Sequence, residues 1–159
     1  IIPDKDNKFE HLSRNNIFDI EANSQYLYIA SDQGLLRMDW EKWEFIVLSN
    51  KQYHKIHLEE NGISGTDGTL WLVQEGKEEK FIKSDVNDFD YCGSYLWSYH
   101  GNQITLVDTV SSQTWEYDQD DGVPGNKIYG INCDSDWVWF LTNRGLAFYN
   151  WNKYHYEKN

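Results

Sequence analysis

Apolar residues along the chain occur in short runs that are separated by glycine, asparagine and aspartate. No segment of helical length keeps its apolar residues at the spacing of about 3.6 residues that an amphipathic helix requires. Short apolar runs bounded by turn-forming residues are typical of β-strands. The pattern therefore predicts an all-β protein that contains many short strands.

Four aromatic and aliphatic runs are the strongest strand candidates: "YLYIAS" at 26–31, "TLWLVQ" at 69–74, "YLWSYH" at 95–100 and "WVWFLT" at 137–142. A second short apolar run precedes each of them, such as "IFDIEA" before the first and "IYGINC" before the last. After the first and last runs, the chain continues through Gly34-Leu35 and Gly145-Leu146 to a further apolar strand and a tryptophan. This repetition predicts repeats that each form an antiparallel meander of four strands.

The spacing of the repeats matches the length of a β-propeller blade. The intervals from Tyr28 to Trp71 and from Trp97 to Trp139 are each about 42 residues, the usual length of a four-stranded blade. The interval from Trp71 to Trp97 is much shorter, so the second blade is predicted to lack its outer strand. We therefore predict a single β-propeller-like domain over 1–159, with about four blades at 13–49, 54–84, 86–118 and 126–158.

Both ends of the chain bear on the number of blades. Residues 1–12 are predicted to contain the outer strand of a preceding blade, because "FEHLSRNN" resembles "WEYDQDDGVPGN" before the last blade. The last blade is predicted to have its own outer strand in "KYHYE", so a closing strand from the N-terminus would be redundant. We expect four blades of a larger or incomplete propeller; a closed four-blade ring is the alternative.

Composition and charge narrow the range of partners. Aromatic residues make up 16% of the chain, including 8 tryptophans and 11 tyrosines, which favours strands over helices. The formal net charge of −12 repels nucleic-acid phosphates and anionic bilayers, so we expect neither as a partner. No apolar run approaches the ~20 residues of a membrane-spanning helix. A protein, a small molecule or a glycan remains as the ligand, and association with further blades or with another chain is also expected.

Cys92 and Cys133 stand at nearly the same offset before a tryptophan in two different repeats. Equivalent positions in neighbouring blades are expected to lie farther apart than the Cα separation of about 7 Å that a disulfide allows. We therefore predict that no disulfide joins them. Both are expected to be packing residues rather than nucleophiles.

Recognisable catalytic and cofactor motifs are absent from the sequence. It contains no Gly-x-Ser-x-Gly segment, no P-loop and no dinucleotide-binding glycine motif. The five histidines have no metal-ligand spacing, and the acidic run "DQDDG" at 118–122 has Tyr129 where a calcium-binding loop would need a carboxylate. We predict a non-catalytic protein without metal or cofactor, in which the acidic run is a turn between blades.

Binding is expected at the turns that follow the strongest strands, because equivalent loops of a propeller converge at one end of a rigid scaffold. The candidate ligand-binding residues in these turns are Asp32, Tyr99, His100, Asn143 and Arg144. Tryptophans within the strongest strands are expected to pack between sheets. Those near the outer strands are better candidates for ligand contact, namely Trp43, Trp115 and Trp151.

The segment "DGVPGNKIYGINCDSDWVWFLTNRGLAFY" at 121–149 resembles the two-component regulator propeller repeat. That repeat reads Asp-Gly-Leu-Pro-Ser-Asn, an aliphatic strand, Asp-x-x-Gly, Leu-Trp-Ile-Gly-Thr, then Gly-Leu and an aromatic strand. The matching positions are Asp121, Gly122, Pro124, Asn126, Ile131, Asp134, Trp139, Thr142, Gly145, Leu146 and Tyr149. Gly125, Trp137 and Leu141 depart from the pattern, and the resemblance weakens in the other blades.

The resemblance implies a function as well as a fold. In that family such repeats form large propellers, usually as the extracytoplasmic sensing part of hybrid histidine kinases and in some surface proteins. The implied function is a non-catalytic binding or scaffold module, periplasmic or on the cell surface, that recognises a ligand or a protein through convergent blade loops. A carbohydrate-binding, lectin-like propeller is one alternative, and a propeller-fold lyase or glycosidase is another.

Overall fold

A computed structural model describes residues 15–59, 62–74, 77 and 79–155. These residues form fifteen β-strands, one 3₁₀ turn and one short α-helix, which confirms the predicted all-β class. The chain divides into two compact units, residues 1–84 and 85–159, called here the first and the second unit. The outer strand predicted within residues 1–12 lies outside the described residues.

The first unit contains two antiparallel four-stranded meanders. The first sheet consists of β1 (Ile17–Ala22), β2 (Tyr26–Ser31), β3 (Gly34–Asp39) and β4 (Phe45–Ser49). The second consists of β5 (Lys55–Glu59), β6 (Gly62–Thr66), β7 (Thr69–Val73) and β8 (Lys80–Ser84). Facing side chains from both sheets form one buried cluster that includes Tyr28, Leu35, Tyr53, Ile56 and Ile63.

The second sheet corrects the prediction that its blade lacks an outer strand. It has all four strands, and Trp71 lies on β7, the third strand, rather than on the second. The second strand is β6, "GISGT", which contains no aromatic residue. Gly65 in β6 is required there because a Cβ would lie 2.7 Å from the Tyr53 ring. Because the repeats were aligned on their tryptophans, the prediction assigned the strand of Trp71 to the second position of this blade instead of the third.

The second unit contains one four-stranded and one three-stranded meander among its described residues. The four-stranded sheet consists of β9 (Asp88–Cys92), β10 (Tyr95–His100), β11 (Gln103–Asp108) and β12 (Thr114–Tyr117). A 3₁₀ turn at Gln119–Asp121 leads to the three-stranded sheet of β13 (Ile128–Asp134), β14 (Trp137–Thr142) and β15 (Gly145–Asn150). The helix α1 (Trp151–His155) follows.

Helix α1 occupies the segment for which an outer strand was predicted, so that prediction is wrong for its described part. The side chain of Asn150 accepts a hydrogen bond from the Lys153 amide at 2.9 Å, which is the geometry of a helix N-cap. Trp151 is buried; its indole donates to the Ser135 carbonyl at 3.0 Å and its ring packs against Tyr95. Capping and burial together stabilise a helical turn where the aromatic pattern alone favours a strand.

Cys92 and Cys133 form a disulfide with a Cα–Cα distance of 5.6 Å, so the prediction of unpaired cysteines is wrong. The two residues lie on β9 and β13, the first strands of their sheets. The Cys133 amide donates to the Asp90 carboxylate on β9 at 2.7 Å. Because these first strands lie against each other, equivalent positions of neighbouring sheets are close enough to be cross-linked.

Aspartates on the first strands connect neighbouring sheets in both units. In the first unit, Asp19 accepts the amide of Ile20 with Oδ1 and the amide of Ile56 on β5 with Oδ2, both at 2.9 Å. In the second unit, Asp90 accepts the amide of Tyr91 with Oδ1 at 2.8 Å, and its Oδ2 accepts the amide of Cys133. In each unit, one aspartate carboxylate therefore accepts two backbone amides. Asp19 holds β1 to β5, and Asp90 holds β9 to β13.

We expect Asp90→Ala to lower the free energy of unfolding of the second unit by about 1.5–3 kcal/mol, because it leaves a backbone donor without its charged acceptor. Asp19→Ala is expected to have the same effect on the first unit. Urea denaturation checks both values. Asp134→Ala, at an exposed position on β13, is the control and should change the free energy by less than about 0.5 kcal/mol. Equal effects at Asp90 and Asp134 would exclude this role.

Candidate functional site

Asp32 is the one predicted binding residue in the first unit. It lies in the turn between β2 and β3, where Oδ2 accepts the backbone amide of Asn16 at 3.2 Å and its side-chain amide at 3.1 Å. Its carbonyl accepts the Gln52 side chain at 2.9 Å. These bonds hold the turn to the segments before β1 and after β4, which is a structural task for the carboxylate.

Tyr99 and His100 lie at the end of β10 in the second unit. Tyr99 is buried, and burial, together with the charge of Asp88, raises the pKa of its hydroxyl to about 12. His100 is exposed at the start of the turn to β11. The next residue, Gly101, donates to the Asn87 side chain at 2.8 Å and accepts the Ile128 amide at 3.4 Å. The turn therefore lies beside the first residue of β13.

Asn143 and Arg144 form the turn between β14 and β15. The Asn143 side chain accepts the Asn126 amide at 3.1 Å and donates to the Asn126 side chain at 2.8 Å, while its backbone amide donates to Lys127. A Cβ on Gly125 would lie 2.2 Å from Asn143 Oδ1. Asn143 therefore positions the segment before β13. The turns that carry His100 and Asn143 are thereby brought to either side of residues 127–128.

Sequence reasoning missed a cleft of about 250 Å³ within the second unit. Strands β10, β11, β12, β14 and β15 provide its walls, and the segment after the 3₁₀ turn provides its rim. The residues that line it are Trp97, Ile104, Tyr117, Asp121, Gly122, Val123, Pro124, Phe140, Ala147, Phe148 and Tyr149. We call this feature the aromatic cleft.

Three rings from three strands form the wall of the aromatic cleft. The Trp97 and Tyr117 rings are stacked, with centroids 6.2 Å apart and an interplanar angle of 22°. The Tyr149 ring lies 5.8 Å from Trp97 and 6.3 Å from Tyr117. Phe140 packs edge-on against Trp97 at 5.9 Å. The close packing of these rings fixes the shape of the wall.

The tyrosine hydroxyls of the cleft remain protonated at neutral pH. Burial raises the pKa of Tyr117 to about 12, with further contributions from Tyr149 and the Asp121 carboxylate. Burial also raises the pKa of Tyr149, with a contribution from Tyr154. The tyrosines of the wall are therefore uncharged.

The rim of the aromatic cleft is held by the acidic run at 118–122. Asp118 caps the 3₁₀ turn by accepting the Asp120 amide at 2.8 Å, and Asp121 Oδ2 accepts the Asp118 amide at 3.1 Å. Gly122, with φ of +95°, ends the turn. The predicted turn between blades is confirmed, and it places the Asp121 carboxylate at the cleft. Residues 122–124 also line a second, more open depression of about 350 Å³, together with Gln119, Asn126 and Arg144.

The exposure of the tryptophans differs in part from the predicted division into packing residues and ligand contacts. Trp97 is 1% exposed, as expected of a packing residue, yet it also lines the aromatic cleft. Trp151 was predicted to contact ligand and is 8% exposed, so that prediction is wrong for it; Trp43 is exposed at 40%. The sequence signal for the cleft was the aromatic residues of β10, β12, β14 and β15, but strand register decides which rings meet.

No group of three His, Cys, Asp or Glu side chains among the described residues is placed to hold a metal ion. Among the helices described there, none combines the length and apolar character needed to cross a bilayer.

No protein-family model and no curated protein matches the chain. Solved structures match its fold. The extracellular domain of a hybrid two component system from B. thetaiotaomicron matches with a TM-score of 0.66 at 19% identity, over 85% of this chain and 20% of that one. BamB from Moraxella catarrhalis matches with a TM-score of 0.61 at 14% identity, over 81% and 41%. The computationally designed Ika4 protein matches at 0.62 and 12% identity, over 86% and 92%.

These likenesses establish the fold. The chain is built of β-propeller blades, and the fold resemblance to two-component regulator propellers is confirmed. The chain spans a fifth of the B. thetaiotaomicron domain and under half of BamB.

Proposed function

We propose that this chain is a non-catalytic propeller module that binds a ligand outside the cytoplasm, as the sensing part of a larger assembly does. The observation that carries the proposal is the aromatic cleft, whose walls come from two packed sheets. A rigid, largely apolar concavity with a few polar groups is the usual form of a small-molecule site. The predicted loop residues Asp32, Tyr99, His100, Asn143 and Arg144 remain proposed contributors to recognition.

The composition of the cleft supports binding over catalysis. Among the described residues that line it, Asp121 is the single carboxylate, and no His, Cys, Ser or Lys side chain accompanies it. A lyase or glycosidase needs a second acid or base near the first. The tyrosines have pKa values raised by burial, so they are poor bases at neutral pH.

The disulfide supports a location outside the cytoplasm. Cys92 and Cys133 are joined, and structural disulfides persist mainly in oxidising compartments. The structurally similar B. thetaiotaomicron domain is extracellular. Both observations favour the periplasm or the cell surface.

The outward face of the last sheet supports association with a further blade. Trp137, Leu141, Leu146 and Phe148 are between 36% and 60% exposed, and β-pairing sets Leu141 opposite Leu146 and Trp137 opposite Asn150. The opposite face of β14 places Val138 and Phe140 in the core. A strand that is apolar on both faces is typical of a sheet covered on both sides.

The test is a ligand screen read by tryptophan emission and thermal unfolding, with neutral sugars, amines and carboxylates in the panel. A ligand of the aromatic cleft should change the Trp97 emission and, at about 100 times its Kd, stabilise the fold by about 2.7 kcal/mol. Tyr117→Leu should abolish both effects. Val123→Ala, at a half-buried rim position, should weaken them without loss of folding.

The matched control is Tyr129→Ala, which removes an exposed ring of β13 that does not line the cleft. Its ligand response should equal that of the unmodified chain. The proposal fails if no panel member changes emission or stability, or if Tyr129→Ala reduces the response as much as Val123→Ala does. A response confined to neutral sugars would instead favour the lectin-like alternative.

A further inference from the structure

The aromatic cleft combines π-rings with one carboxylate. The faces of aromatic rings carry negative electrostatic potential, and the rings of Trp97, Tyr117 and Tyr149 lie within 6.3 Å of one another. Asp121 is the only charged side chain among the described residues that line the cleft. Its charge contributes to the raised pKa of Tyr117, which places the carboxylate near the ring wall.

The Asp121 carboxylate is pre-oriented at the rim. Its Oδ2 accepts the Asp118 amide, and within the described part of the chain Oδ1 accepts no hydrogen bond. The 3₁₀ turn that ends at Gly122 fixes the backbone of this residue. A ligand that enters the cleft therefore meets a held anion without further ordering of the chain, which lowers the entropic cost of binding.

The net charge of the whole chain has the same sign as that of Asp121. The chain has 26 acidic and 14 basic residues, and a field of that sign raises the local concentration of cations and speeds their association. Arg144 lines the neighbouring depression and is not among the residues that line the aromatic cleft.

We propose that the aromatic cleft binds the head group of an organic cation, a quaternary ammonium or a protonated alkylamine, between its ring wall and the Asp121 carboxylate. Aromatic rings attract such groups through their quadrupoles. The volume of about 250 Å³ is smaller than that of a typical drug-sized site, so a compact head group fits it. This inference rests on the proposed ligand-binding function and names the ligand class.

The experiment compares choline with 3,3-dimethylbutanol, in which a neutral tert-butyl group replaces the trimethylammonium group. Both are titrated into the full chain and followed by tryptophan emission and calorimetry. We expect choline to bind at least about tenfold more tightly than its neutral analogue. Asp121→Asn keeps a side-chain acceptor for the Asp118 amide, and it should weaken choline binding by about tenfold while leaving the neutral analogue unchanged. Added salt should weaken choline binding alone.

Asp120→Asn is the matched control, because Asp120 shares the 3₁₀ turn and the charge but does not line the cleft. It should change choline binding less than twofold. Equal losses of choline affinity in both variants would mean that Asp121 acts only through the net negative charge of the protein. That result would overturn its assigned role. Equal affinity for choline and the neutral analogue would overturn the cation proposal and leave the binding function standing. The same holds if neither choline nor an amine binds while neutral sugars or carboxylates do. Silence of the whole panel would overturn both.

Discussion

Reduction of the Cys92–Cys133 disulfide is expected to lower the free energy of unfolding of the second unit by about 4 kcal/mol. The cysteines are separated by 41 residues in the chain, and a cross-link over that length removes about this much conformational free energy from the unfolded state. Domains are stabilised by about 5–15 kcal/mol in total, so the loss is large. Urea denaturation with and without a reductant measures it.

The control separates the cross-link from side-chain packing. Reduction leaves the atoms of the buried Cys92 in place, whereas the double variant Cys92→Ala/Cys133→Ala also removes their contacts. The variant should therefore be at least as unstable as the reduced chain, and a reductant should not change it further. An unfolding midpoint that is the same in oxidising and reducing conditions would contradict the prediction.

The disulfide also bears on the aromatic cleft. It joins β9 to β13 beside the Asp90 hydrogen bond, and the two sheets that these strands begin provide the two walls of the cleft. The corresponding joint in the first unit has Asp19 and no disulfide. A covalent joint between the two sheets restrains their separation, so we infer that reduction weakens ligand binding as well as stability.

Most strands could be predicted because each depends on a local pattern. Short apolar runs between turn-forming residues locate β2, β10 and β14 at the same residues as the structure. The second blade was misplaced because its second strand, β6, contains Gly65 under Tyr53 instead of an aromatic residue. Helix α1 was missed because it depends on the burial of the Trp151 indole against distant residues. The disulfide was missed because it depends on the contact between β9 and β13, which are distant in sequence.

The candidate site was less predictable than the fold. Asp32 and Asn143 were assigned to turns correctly, since each follows a strong strand, whereas Tyr99 and His100 are the last two residues of β10. The structural roles of Asp32 and Asn143 depend on hydrogen bonds to Asn16 and Asn126. These bonds join residues that are distant in sequence, so the sequence did not reveal them. The aromatic cleft draws on five strands, and no single segment contains enough of it to form a recognisable motif.

Gly34→Ala is expected to be the most destabilising of the single substitutions considered, and Gly145→Ala the milder of the pair. Both glycines begin the third strand of a sheet, precede leucine and have positive φ, +112° and +122°. An alanine at either position bears backbone strain of about 1–3 kcal/mol. At Gly34 the new Cβ would also lie 2.2 Å from the Ser49 carbonyl oxygen, whereas nothing lies within 4 Å at Gly145.

The two glycine variants should differ in stability because only Gly34 lies against a fourth strand among the described residues. Ser49 belongs to β4, which pairs with β3, while β15 has no such neighbour among the described residues. Because the clash at Gly34 is with backbone, we expect it to add about 3 kcal/mol to the strain that both variants share. Hydrogen exchange of each unit's strand amides measures the two losses separately. Equal losses would mean that a further strand covers Gly145 in solution, as β4 covers Gly34.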